Sequence, residues 1–186
     1  MATHDEGDQP EESYSVWALP LADVKDRLKF LMSSLRCEFG GPSFEPHITV
    51  VGDLRLRRND AIASLRSAAS SLNPYNARVA SVGCGNIFYQ CVYLLIDPSP
   101  EVVETSARCC SHFGYERSTP YMPHLSLIYG ELSDEEKEKA RRRAEELDGE
   151  ICSLTFEVSS LALYKTNTED KTTESWEMIK VCELTN

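Results

Sequence analysis

Positive charge is scarce in this sequence. Lys and Arg number 19 against 30 Asp and Glu, for a net charge of -11. A protein that follows a long nucleic acid presents a basic face to the phosphates. No stretch here supplies one, so long nucleic acid is not an expected partner, and a phosphate-bearing partner should be small and held locally. Long apolar runs are missing as well: none approaches the ~18 residues of a membrane-spanning helix, and no membrane association is expected. Residues 1–12 (MATHDEGDQPEE) have no apolar core of the kind a signal peptide needs. They read as a flexible acidic tail, with His4 inert within it, ahead of a single domain over 13–186. The cytoplasm is the expected location and a monomer the expected state. The seven cysteines include no CxxC pair, which removes zinc-ribbon and thioredoxin-like readings. Most should be reduced thiols, four of them in strand-like runs. HExxH and clustered Cys/His spacings are absent too, so no metal or other cofactor is expected.

What the chain does contain is a repeat. Pro46-His47-Ile48-Thr49-Val50-Val51-Gly52 recurs as Pro123-His124-Leu125-Ser126-Leu127-Ile128-Tyr129-Gly130. On a β-strand, alternate side chains share a face. His47 and Thr49 then point one way and Ile48 and Val50 the other. His124 and Ser126 share a face in the same manner, backed by Leu125 and Leu127. The plainer alternative is two amphipathic strands whose polar faces happen to carry histidine; the shared flanking proline and glycine weigh against it.

Periodicity and punctuation predict the surrounding elements. A strand covers 14–19 and a helix 21–37, ended by Gly40-Gly41-Pro42. The first motif strand, 47–52, is closed by Gly52-Asp53. A helix over 59–72, capped by Asn59 or Asp60, follows. Residues 77–83 and 87–97 read as a hairpin. A helix over 101–113, the motif strand 124–130 and a helix over 134–148 with a Ser133/Glu136 capping box come next. Strands over 152–164 and 176–184 end the chain. The order β-α-β-α-β-β-α-β-α-β-β repeats a pattern with one motif per half, which predicts an α+β fold of two related lobes facing each other across a cleft. Several side chains have two readings. Trp17 is read as core ahead of a stacking surface, and Phe88 and Tyr89 as packing ahead of base stacking. Arg55, Arg57 and Arg58 are read as a solvated turn ahead of a rim cation site. Residues 165–175 are read as a plain loop ahead of a lid. Arg141-Arg142-Arg143 reads as an exposed, salt-bridged face, and His112 as structural.

Two histidines across a cleft can divide acid–base work, because the unperturbed imidazole pKa lies near neutrality. One removes a proton from the attacking water or hydroxyl and the other protonates the leaving oxygen, which suits phosphodiester hydrolysis or transesterification. The hydroxyls of Thr49 and Ser126 are placed to bind non-bridging phosphate oxygens where negative charge builds. They are weak nucleophile candidates, since the motif offers no carboxylate to orient each histidine. The repeat's symmetry leaves the acid and base open between the two, with His124 preferred as base and His47 as acid.

The paired His-x-[Ser/Thr]-x motifs, His47-Ile48-Thr49-Val50 and His124-Leu125-Ser126-Leu127, resemble those of the two-histidine (2H) phosphoesterase superfamily. Together with Tyr14-Ser15-Val16-Trp17-Ala18-Leu19-Pro20, they resemble the plant cyclic phosphodiesterases over roughly residues 13–185. The resemblance implies a bilobal fold, two pseudo-symmetric lobes of antiparallel sheet with helices outside and a central cleft. It implies a small-molecule nucleotide cyclic phosphate as partner: ADP-ribose 1″,2″-cyclic phosphate opened to the 1″-phosphate, downstream of tRNA splicing, and nucleoside 2′,3′-cyclic phosphates opened to 2′-phosphates, without a metal. It also implies that Tyr129 helps with phosphate or water, although strict alternation puts Tyr129 on the face opposite His124. Two other readings stay open: an RNA-end 2′–5′ ligase or exonuclease on the same fold, and a nucleotide-binding module without turnover.

Overall fold

The computed structural model describes residues 9–186. Its elements follow the expected order: β1 (Glu11–Pro20), α1 (Ala22–Phe39), β2 (Ile48–Arg57), α2 (Arg58–Ser70), β3 (Tyr75–Cys84), β4 (Val92–Ile96), α3 (Pro100–Phe113), β5 (His124–Ile128), α4 (Asp134–Leu147), β6 (Thr155–Lys165) and β7 (Glu177–Glu183). Local chemistry explains the helices. α1 buries Leu28, Leu31, Met32 and Leu35, one stripe at helical spacing. α3 starts at Pro100 behind the Ser99 cap and ends on Gly114, which is left-handed at φ 63. α4 starts at Ser133, whose hydroxyl accepts from the Glu136 N–H. Along α4, Arg141 and Arg142 both pair with Glu138, and Arg143 reaches Glu38 on α1. These are exposed contacts, worth little individually.

Several boundaries depart from the sequence expectation. β1 begins at Glu11, so the acidic tail gives way to structure two residues early: Glu11 pairs with Arg57 and Glu12 with Leu56. His4 lies outside the described residues. Gly52-Asp53 does not close β2. The strand runs on to Arg57, with Asp53 at φ 60 where the register against β1 shifts. Asn and Asp tolerate this backbone conformation better than most residues. The shift turns an expected turn into a bulge, and Arg55 sits on a strand, opposite Ser13. α2 is entered through Arg57 without a side-chain cap, leaving Asn59 and Asp60 inside its first turn. Residues 88–90 form a short 3-10 turn rather than the start of a strand. None of the seven cysteines is in a disulfide. Among the described residues, no helix is long and apolar enough to cross a membrane.

One seven-stranded antiparallel sheet, in the order β1-β2-β5-β4-β3-β6-β7, carries the fold, and β1 also pairs with β6. In one part of it, β1 pairs with β2 and β6, and β6 with β7. In the other, β4 pairs with β3 and β5. The two parts join at both ends. β3 meets β6 over four residue pairs, from Tyr75↔Val158 to Arg78↔Thr155. β2 meets β5 at the single pair Ile48↔Leu125. The motif strands thus touch only where they begin and then diverge, which opens a cleft between the lobes. Behind it, one continuous core includes Ile48, Val50, Leu125, Leu127, Leu65, Leu94 and Leu163, to which both lobes contribute.

The loop from α1 to β2 is seated by Gly41. Its φ is 102, and an added Cβ would lie 2.5 Å from the Tyr129 carbonyl oxygen. Gly41→Ala meets both a strained backbone and a fixed backbone atom, so it should destabilise the protein by roughly 1–3 kcal/mol. Denaturant unfolding of the variant checks this. Serine at the neighbouring Gly40, where nothing lies within 4 Å, should cost less.

Candidate active site

Proline sets the geometry of both motifs. The residue before a proline is driven to extended backbone. Glu45 and Met122 occupy that position, and each turns its carbonyl back to the ring that follows. His47 Nδ1 lies 2.7 Å from the Glu45 oxygen, and His124 Nδ1 lies 2.9 Å from the Met122 oxygen. A carbonyl can only accept, so in each ring Nδ1 carries the proton and Nε2 is the nitrogen available to a substrate. Each histidine is thereby oriented by backbone rather than by a carboxylate. The Glu45 carboxylate itself points to α1, with Lys29 at 3.1 Å and Lys25 at 3.5 Å.

Both imidazoles open onto a cleft of about 540 Å³ that also takes in Thr49, Ser126 and Tyr129. The five side chains singled out from the sequence therefore lie together, within the size range of nucleotide-scale pockets. Tyr129 reaches the cleft because β5 ends at Ile128, so strand alternation no longer governs it. Its ring stacks on Phe44 at 3.7 Å and meets Tyr89 edge-on at 5.0 Å. Burial pushes its phenol pKa up, which keeps it a proton donor. The two hydroxyls differ. Ser126 Oγ donates to the Tyr89 carbonyl at 2.8 Å, so it must rotate before it can donate to a phosphate. The half-exposed Thr49 hydroxyl has no such tie.

Trp17 satisfies both of its readings. It is 2% exposed, yet its indole stacks on His47 at 3.4 Å with 5° between the planes. Tyr164 stacks on the opposite face at 3.7 Å, and the indole N–H donates to Ser15 Oγ at 2.8 Å. His47 is consequently cut off from water. That desolvation, with a smaller repulsion from His124, pulls its pKa down to about 3. The indole face works in the opposite sense, since it attracts an imidazolium, but about 1–2 kcal/mol does not offset a shift of that size. His124 is half-buried, and burial lowers its pKa as well, partly offset by the Met122 carbonyl. Both rings of the protein by itself are neutral at neutral pH.

Loop residues build much of the remaining wall. The segment 165–175 is not a plain loop: Thr166 and Thr168 line the cleft, Tyr89 donates to the Thr168 carbonyl at 2.6 Å, and Trp176 donates to the Asn167 carbonyl at 2.9 Å. Tyr89 itself faces the cleft, with its ring 5.8 Å from that of Trp176. Arg55, Arg57 and Arg58 do not line the cleft; Arg55 borders an adjoining hollow, and Arg58 lies 3.7 Å from Glu12. The loop before β5 contributes residues that sequence reasoning passed over: Tyr115, Arg117 and Tyr121. Tyr121 donates to the Thr49 carbonyl at 2.9 Å and so braces the first motif from the second lobe. Aromatic and basic residues in the polar stretch just ahead of a motif histidine were the available signal. Among the described residues, no three His, Cys, Asp or Glu side chains gather to hold a metal ion.

Over residues 13–185 the sequence matches the family described as cyclic phosphodiesterase-like protein. The chain belongs to that family. It is 47% identical to a cyclic phosphodiesterase of Arabidopsis thaliana over 174 residues, covering 94% of this chain and 96% of the relative. The fold is shared more widely. The crystal structure of E. coli LigT complexed with 3′-AMP superposes with a TM-score of 0.60 over 95% of this chain and 99% of LigT, at 12% identity. TT0787 of Thermus thermophilus superposes with a TM-score of 0.64 over 92% of this chain and 97% of that one, at 14% identity. The architecture is thus that of the two-histidine phosphoesterases, and the protein is a hydrolase of phosphodiester bonds.

Burial of neutral His47 has a thermodynamic consequence. Its folded pKa is about 3, below the ~6.5 of the unfolded chain. Between those values the unfolded state binds the extra proton. The stability gained by keeping the ring neutral is complete above pH 6.5 and lost at up to about 1.4 kcal/mol per pH unit as the pH falls towards 3. Denaturation of wild-type and His47→Gln protein at pH 7 and pH 4.5 should show the wild type losing the more stability on acidification.

Proposed function

We propose that the protein opens small cyclic phosphodiesters by metal-independent acid–base catalysis between His47 and His124, with ADP-ribose 1″,2″-cyclic phosphate and nucleoside 2′,3′-cyclic phosphates as substrates. The observation that carries this reading is the matched pair of imidazoles, each with Nδ1 held by the carbonyl two residues back and Nε2 left for one cleft. The Arabidopsis relative is named a cyclic phosphodiesterase, and the net charge of -11 favours a small substrate over a long one.

His124 is the base and His47 the acid. The nucleophile is water, and the half-buried His124 is the ring nearer to solvent, while His47 is enclosed. His124 Nε2 takes a proton from water as the water oxygen bonds to phosphorus. The phosphorus–oxygen bond opposite breaks, at O3′ in a nucleoside 2′,3′-cyclic phosphate and at O2″ in the ADP-ribose compound, and His47 Nε2 protonates the departing oxygen. A desolvated imidazolium gives up its proton readily. Until it does, it is held by the phosphate anion and by the Trp17 face. Thr49, and Ser126 once released from the Tyr89 carbonyl, donate to the non-bridging oxygens. Protonated Tyr129 borders the same space as a further donor.

His47→Ala and His124→Ala should each lower kcat by about 10²–10⁴-fold in folded protein. A cyclic phosphate of catechol, whose leaving oxygen needs little protonation, separates the roles. It should recover activity with His47→Ala and not with His124→Ala; the opposite pattern would reverse the assignment. Wild-type activity should survive EDTA, and loss of activity that added metal restores would sink the metal-independent mechanism.

Reactive protein needs one ring protonated and one neutral. Both free-protein pKa values lie below 6.5, with His47 at about 3, so kcat/KM should fall about tenfold per unit as the pH rises above 6.5. The bound phosphate anion favours the imidazolium, so the kcat profile should extend to higher pH. Paired pH–rate profiles check the offset.

A further inference from the structure

Charge is sparse in the cleft. Among the described residues that line it, Arg117 is the one Lys or Arg and Asp53 the one carboxylate. Asp53 also borders the adjoining hollow with Arg55 and Lys165. Arg117 is held entirely by neutral groups. Its Nη2 donates to the Val50 carbonyl at 2.6 Å and to the Ser106 hydroxyl, and its guanidinium carbon lies 4.3 Å from the centre of the Tyr121 ring. These contacts fix the side chain without neutralising it, since no carboxylate pairs with it among the described residues. Among the described residues, Nε and Nη1 have no protein acceptor. A preorganised, uncompensated fork of N–H groups is matched to a phosphate.

We propose that Arg117 binds a second phosphate of the substrate, one carried on C5 of the ribose that bears the cyclic phosphate. The assignment rests on the cyclic-phosphate reading above and narrows it to ribose cyclic phosphates with a phosphate or diphosphate on that carbon. Position supports it. Arg117 is anchored to the carbonyl of Val50, the residue after Thr49, and Thr49 is assigned to the cyclic phosphate. Its anchor Tyr121 bonds the Thr49 carbonyl. The two anion sites are therefore neighbours on one wall, with His124 closing the same loop, so a single ribose bridges them. The cyclic phosphate itself is already provided for by the histidines and hydroxyls. A nucleoside 2′,3′-cyclic phosphate without the second phosphate leaves Arg117 idle.

Adenosine 2′,3′-cyclic phosphate and its 5′-phosphorylated form differ only in the group at issue. Wild-type protein should prefer the 5′-phosphorylated compound in kcat/KM, and the preference should weaken with added salt, because Arg117 is exposed. Arg117→Met should lower the ratio of the two kcat/KM values about ten- to hundredfold. Arg117→Lys, which keeps the charge and loses the fork, should fall between. An equal loss on both substrates, with a lower Tm, would make Arg117 only a brace for Val50 and overturn the assignment, as would an unchanged ratio. Wild-type protein that opened neither compound would instead overturn the cyclic-phosphate reading itself.

Discussion

Everything at the site depends on the brevity of one strand pairing. β2 and β5 share the single pair Ile48↔Leu125. Had they continued side by side in that antiparallel register, Thr49 would face His124 and His47 would face Ser126 across a closed sheet with no room for a ligand. Because they part, the carbonyls along β2 need other partners. Thr49 O accepts from Tyr121, and Val50 O from Ser106 and Arg117. Val50 is also the extra residue where the β1–β2 register slips, between the pairs Trp17↔Thr49 and Val16↔Val51. A bulge bends its strand and re-aims the side chains beside it. The cleft is thus held open by side chains that satisfy the backbone groups its opening exposes, and those side chains include the cleft's cation.

The same economy shapes the histidines. Burial opposes the imidazolium that acid catalysis needs, and at His47 it is the dominant influence. Among the described residues no carboxylate pairs with His47. Lys25 and Lys29 hold the carboxylate of Glu45, while the Glu45 backbone carbonyl orients the ring. In the mechanism we propose, the substrate brings the missing negative charge: a phosphate anion entering the cleft would supply the counter-charge that lets one ring carry a proton, so the acid would form when there is a bond to break. The flat Tyr164–Trp17–His47 stack fixes the ring's plane meanwhile, and Ser15 and Thr166 fix the indole.

The legible parts of this site were those set by local chemistry. Strand alternation placed His47 with Thr49 and His124 with Ser126, and the buried Ile48, Leu125 and Leu127 bear out the opposite face. Helix stripes and caps gave α1, α3 and α4 to within two residues. The misreadings came where tertiary contact overrode a local signal. Gly52-Asp53 has turn chemistry, yet pairing with β1 carries the strand past it. Tyr129 obeys alternation only while it is in a strand, and β5 stops one residue before it. Trp17 was weighed as core against stacking surface, but a tryptophan beneath a buried histidine is both. Arg117 sits in a loop whose polarity signals exposure, and its anchors Val50 and Ser106 lie 67 and 11 residues away in sequence.

The sequence by itself determined the chemistry. A doubled Pro-His-x-[Ser/Thr] pattern dictates two rings oriented by their own backbone, each with a hydroxyl on the same face, because prolyl sterics and strand periodicity act within a few residues. The acidic balance, a net charge of -11, favours a small substrate over a long nucleic acid in the same direct way. Only the tertiary structure decided that the two copies share one cleft, that burial lowers the pKa of both histidines, that Ser126 is tied to Tyr89 while Thr49 is not, and that Arg117 stands beside them with its charge unspent. Those features arise from contacts between chain segments distant in sequence, and from the exclusion of water that such contacts produce, neither of which is carried by a local pattern.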